Sequence, residues 1–171
     1  MKVVLASVGA LAPVVLRCVT FRNSVEDKLP TSVIRTLRFP DSLEILTLDP
    51  TSSKERGTVL PAERDFHGYA ILGHAPLNDE ATRSELVELV LRGVQESDGR
   101  VAACFNPRHG IRAVKDGKVL DMLICYECLQ IEIHCAALEE EKGRLGVLTS
   151  SSVEPEVSRL FEAAGLELAP R

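Results

Sequence analysis

The chain has 171 residues, of which 45% are hydrophobic and 26% charged, with a formal net charge of −5, two Tyr, five Phe and no Trp. That balance excludes wholesale disorder, and the length suffices for one domain that needs neither metal nor disulfide merely to fold. An acidic chain with no Lys/Arg run interleaved with aromatics offers no phosphate-tracking surface, so nucleic acid is not an expected partner.

Met1-Lys2 is followed by an apolar stretch from Val3 to Leu16. Its length suits the core of an export signal or anchor and is too short for an ordinary spanning helix. Ala10-Leu11-Ala12 resembles a small-residue cleavage site, whereas Arg17 before Cys18 opposes a lipoprotein reading. The alternative is a core element interrupted at Pro13. The five cysteines (Cys18, Cys104, Cys125, Cys128, Cys135) are an odd number, which argues against a fully paired secreted framework. Cytoplasmic residence is therefore favoured over export or anchoring, and membrane contact is expected only through the N-terminal segment. Residues 1–40 read as this segment plus a linker with a short helix, and 41–168 as a single α+β domain.

Pro30 pre-sets the first turn of that short helix, with Val33, Ile34 and Leu37 on one face. Leu43 to Leu48 is β-rich and stops at Asp49-Pro50, and Phe66 to Gly73 reads as a second strand weakened by Gly68. The longest helix runs from about Asp79 to Glu96, with Asn78 placed to cap it and Leu86, Leu89, Val90 and Val94 at helical spacing. Gly93 in its interior costs roughly 1 kcal/mol relative to Ala, which marks a close packing contact. Val101–Phe105 and Gly110–Lys115 read as strands around the Asn106-Pro107-Arg108-His109 turn. Asp116-Gly117 closes a hairpin with Val119–Cys125. Leu129, Ile131 and Ile133 alternate with Gln130, Glu132 and His134, so one face of that strand is wet. Glu139-Glu140-Glu141 reads as a solvated turn, Leu145–Thr149 as a strand and Ser152–Gly165 as a closing helix. The expected fold is α+β: a mainly antiparallel sheet with one long inserted helix and a C-terminal helix.

Chemistry concentrates in Cys104-Phe-Asn-Pro-Arg-His109-Gly and Ile-Cys125-Tyr-Glu-Cys128. If Lys115 and Lys118 flank a two-residue turn, facing residues have numbers that sum to 233, which sets Arg108 opposite Cys125 and His109 opposite Ile124. Cys128 joins Cys125 only if the chain bends at Tyr126-Glu127, because residues three apart on a strand face opposite ways. Cys104, His109, Cys125 and Cys128 supply the number and kind of ligands for tetrahedral zinc, in a structural or regulatory role. The alternative is a redox dithiol of Cys125 and Cys128, in which Arg108 and His109 favour thiolate and Glu127 opposes it. A nucleophile built from Cys104 or Cys125 with His109 lacks an identifiable orienting carboxylate or amide. A third reading takes the cysteines as inert residues of a non-catalytic interaction domain. A binding role is favoured over catalysis, and any catalysis would be thiol-dependent redox. Arg108 and Arg112 could hold a small anion but read more simply as strand-end charges. His67 and His74 could extend a metal site but read as surface residues, while Cys135 falls on the apolar side of its strand and reads as core.

The segments CFNPRHGI and ICYEC, with a hairpin between them, resemble a family of small bacterial proteins of no established activity. Its members carry CF-x-PRHGI followed by IC[FY]EC. The likeness spans about Leu43 to Leu168 and implies that Cys104, Pro107, Arg108, His109, Cys125, Glu127 and Cys128 act as one unit. Tyr126 stands where Phe is commoner.

Overall fold

The apolar alternation of the chain is realised in one antiparallel sheet whose main core is covered by helices on one side. The computed structural model describes residues 24–136, 138 and 143–170. The N-terminal apolar segment with Cys18 and the Glu139-Glu140-Glu141 turn lie outside the described residues. The strands are β1 (Ser42–Leu48), β2 (Asp65–Phe66), β3 (Tyr69–Pro76), β4 (His109–Lys115), β5 (Lys118–Cys125), β6 (Gln130–Cys135) and β7 (Arg144–Leu148), in the order β2-β3-β1-β4-β5-β6-β7. The helices are α1 (Thr31–Arg38), α2 (Ser53–Arg56), α3 (Glu80–Glu96) and α4 (Glu154–Ala163). The fold is thus α+β, with the long helix carrying the chain from β3 to β4 and a helix at its C-terminal end. Among the described residues no helix is long and apolar enough to cross a membrane.

Side-chain alternation assigns each strand two faces. Ile45, Ile111, Ala113, Leu120, Met122, Ile124, Ile131 and Ile133 share the main core with apolar residues of α1, α3 and α4. Val25 and Leu29, ahead of α1, belong to the same core. The opposite face carries a smaller cluster of Leu46, Leu48, Phe66 and Leu123. Phe66 lies over Gly110, where a Cβ would come within 3.2 Å of its ring, so the glycine makes room for the aromatic.

Four sequence expectations change. Phe66 to Gly73 is two strands: His67-Gly68 forms a two-residue turn with φ of 54° and 91°, and the chain doubles back. That turn curls over the second face of the sheet, because His67 reaches Asp121 of β5. Asp79 caps α3 in place of Asn78, its carboxylate accepting from Thr82 N–H at 2.8 Å. Val101–Phe105 is irregular chain held by individual bonds, such as Ala102 N–H to Cys128 O at 3.1 Å. Cys135 is half-buried, packed against the main core from its margin. The β4–β5 hairpin keeps the register deduced from its turn, with Lys115 opposite Lys118 and His109 opposite Ile124.

Candidate functional site

The turn between β5 and β6 spans Tyr126 to Leu129, with Leu129 at a φ of 58°, so the strand does bend after Cys125. The bend brings Cys128 back onto Cys125, and the two form a disulfide with Cα atoms 5.2 Å apart. Both are buried, at 1% and 0% exposure. Cys104 arrives from the irregular Gly99–Arg108 segment and is exposed, yet its Sγ lies 3.3 Å from Cys128 Sγ. One surface thiol therefore touches a buried disulfide at Cys128.

Backbone and side-chain bonds hold these sulfurs in place. The Cys128 N–H points to Cys125 Sγ at 3.1 Å, and Asn106 N–H to Cys128 Sγ at 3.4 Å. Gln130 Nε2 donates to Ala102 O at 2.8 Å and Tyr69 Oη to Phe105 O at 3.0 Å, which pins the Cys104 segment on both sides. Arg108 Nη1 pairs with Glu127 at 3.0 Å, and its Nε donates to Pro170 O at 3.1 Å. The Arg108 charge is thereby committed to the carboxylate inside the Cys125–Cys128 turn.

His109 goes elsewhere. Its partner across the ladder is Ile124, a main-core residue, so the pleat carries the imidazole to the helix side and Cys125 to the other. Its Nε2 lies 3.1 Å from Ser158 Oγ of α4, and its ring meets Tyr126 and Phe161 edge-on. Of the four residues read as zinc ligands, the structure brings together the three cysteines and leaves the histidine on the far face. Among the described residues no group of three or more His, Cys, Asp or Glu is disposed to hold a metal ion. Tyr126, between the two cysteines, is buried with no hydrogen-bond partner for its hydroxyl among the described residues, and burial pushes the phenol above its usual range.

A second polar array crosses the face that carries Cys125. Glu44, Arg112, Asp121, His134 and Arg144 are successive cross-strand partners from β1 to β7. Arg112 grips Asp121 with two bonds, at 2.7 and 2.8 Å. His67 Nε2 approaches the same carboxylate at 2.8 Å, and its ring stacks on His134 at 3.7 Å. His134 in turn meets Glu132 at 2.6 Å, and Glu132 also pairs with Arg144. Burial would raise the Asp121 pKa, but hydrogen bonds from Arg112 and His67 outweigh it and hold the carboxyl below the usual range. Burial, and then the adjacent His67, push the His134 pKa down. His74 sits apart, 3.6 Å from Glu44. Asp121 is the centre of this array and carries no sequence motif; the turn rule that sums to 233 does place it opposite Arg112.

Comparison of the chain with protein-family models, curated proteins and solved structures finds no match.

Proposed function

We propose that the protein is a thiol–disulfide redox protein whose oxidised form is the Cys125–Cys128 disulfide and whose exchanging group is Cys104. The observation that carries this reading is the 3.3 Å contact between the exposed Cys104 sulfur and the buried Cys128 sulfur. Exchange proceeds by attack of a thiolate on one sulfur of a disulfide. The Cys104 thiolate attacks Cys128 Sγ; a Cys104–Cys128 bond forms, the Cys125–Cys128 bond breaks, and Cys125 leaves as a thiolate that takes up a proton. The new disulfide includes the exposed sulfur, so an external thiolate can attack Cys104 and expel the Cys128 thiolate. A second equivalent of external thiol then displaces the first from Cys104 as a small disulfide. Two external thiols are oxidised and one protein disulfide is reduced, and every step reverses in an oxidising medium. Burial of Cys125 and Cys128 denies an external thiol the direct route.

The test is alkylation mapping after graded exposure to dithiothreitol. Cys125 and Cys128 should become alkylated together and return together on reoxidation. In a Cys104→Ser variant the same change should slow by at least about tenfold, because an intramolecular attack is replaced by a bimolecular one at a buried bond. An unchanged rate in that variant, or a pair that never opens, would overturn the reading.

A second reading rests on the convergence of three sulfurs. Once the disulfide is reduced, Cys104, Cys125 and Cys128 could hold zinc as thiolates, with the Asn106 and Cys128 amides directed at the sulfurs. His109 would not supply the fourth ligand, since it lies on the helix side. Metal content of reduced, untagged protein tests this: about one equivalent of zinc, lost on Cys104→Ser, supports a three-thiolate site with an open fourth position. Reduced protein without zinc after incubation with the metal contradicts it.

A further inference from the structure

The Cys104 segment forms one wall of a groove of ≈ 660 Å³ on the curled face of the sheet, between the β2–β3 turn and β7. Phe105, the residue after Cys104, and Gln130, whose amide also approaches the Cys104 carbonyl at 3.5 Å, line that end. Tyr69 lines the groove beside Phe105, and the two rings meet edge-on. Lys54 and Arg144 line the groove as well. Among the described residues Lys54 has no ion-pair partner. Arg144 pairs with Glu132 and keeps 60% of its side chain exposed, while the Glu132 carboxylate is shared between Arg144 and His134. Lys54 and Arg144 thus bring two cationic donors to the groove wall, where Glu132 and the nearby Glu55 act on Tyr69.

From this combination we infer that the groove binds a small thiol bearing carboxylates, or its disulfide, as the external partner of Cys104. The inference rests on the redox reading above and adds the chemical class of the partner. The volume falls within the range that encloses a small molecule, about 300–1,000 Å³, and would admit only a fragment of a folded protein. Lys54 and Arg144 present cationic donors that carboxylates satisfy, which favours a thiol bearing carboxylates over a neutral one. The aromatic pair supplies an apolar wall for the carbon skeleton. An occupant seated there places its sulfur at the groove end built by the segment that carries Cys104.

Glutathione, a tripeptide thiol with two carboxylates, and 2-mercaptoethanol, a small uncharged thiol, distinguish the outcomes. The rate at which each reduces Cys125–Cys128 is measured against its concentration by quenched alkylation. Reduction by glutathione should saturate, whereas reduction by 2-mercaptoethanol should rise linearly. S-methylglutathione, which cannot exchange, should inhibit the first reaction competitively and leave the second unchanged. Lys54→Gln should raise the half-saturating glutathione concentration by about tenfold, the size of one lost charge-assisted contact. Lys118→Gln, on the β4–β5 hairpin away from the groove, serves as the control and should not. Linear dependence on both thiols, with S-methylglutathione inert, would overturn the groove inference and leave the redox reading standing. Failure of both thiols to open the disulfide would overturn the two together.

Discussion

Asp121 shows how a single side chain holds several strands. It is 5% exposed, yet it accepts both hydrogen bonds of Arg112 and a third from His67, so its charge is matched at short range. Its carboxyl is held below the usual range, so its contribution is fully present above the unfolded value and disappears as pH falls through the folded one. Denaturant unfolding of Asp121→Asn should show a loss of about 2 kcal/mol at neutral pH, with the gap to the parent closing below about pH 4. A gap that stays constant into acid would mean the carboxylate charge is not the origin. Tyr126 presents the opposite case, a buried hydroxyl without a partner among the described residues. Tyr126→Phe removes only that atom and should raise the denaturant midpoint, by about 1 kcal/mol of stability at unchanged slope. A lower midpoint would show that the hydroxyl has a partner in solution.

At the scale of elements, α3 is seated through Gly93. A Cβ there would come within 2.7 Å of Thr149 Oγ1 and 3.0 Å of Val153 Cγ2, and Ser150 N–H bonds the Gly93 carbonyl at 2.9 Å. Helix propensity alone would make Gly93→Ala stabilising by about 1 kcal/mol, but overpacking costs about 1–3 kcal/mol, so a net loss is expected. Thr149 Oγ1 is itself buried without a partner among the described residues, so Thr149→Ala frees the space at small cost. The double variant should recover most of the loss in a thermal melt; simple additivity would place the cause elsewhere. The close contact at Gly93 was legible in the sequence because a glycine inside a strong helix pattern has few other reasons to be there. The β4–β5 register was legible too, since a two-residue Asp-Gly turn fixes every facing pair. The β2–β3 turn was not, because His67-Gly68, both at positive φ, interrupts an otherwise continuous strand-like run from Phe66 to Gly73. Val101–Phe105 has strand-like composition but bonds to a turn and a side chain in place of a ladder. His109 misled for a related reason: proximity in sequence to Cys104 says nothing of the pleat, which sends it to α4.

For the molecule as a whole, the main core leaves out Cys104, Cys125 and Cys128, and of the loop that the bridge closes it takes in Tyr126. The Cys125–Cys128 bridge closes a very short loop, for which chain entropy contributes only about 2 kcal/mol. Reduction should therefore leave the fold intact and lower stability modestly, as the proposed redox cycle requires. Circular dichroism of the reduced protein should match the oxidised one at 25 °C, with a lower melting temperature. Loss of secondary structure on reduction would instead make the bridge a structural staple.

The contact between Cys104 and Cys128 is tested most directly by trapping it. In a Cys125→Ser variant the central sulfur loses its partner, and mild oxidation followed by peptide mapping reads where it goes. The geometry predicts an intramolecular Cys104–Cys128 disulfide, formed at a rate independent of protein concentration and with Cys135 left free. Recovery of Cys104 and Cys128 as unpaired thiols, or their pairing only between molecules, would contradict the exchange centre proposed for this protein.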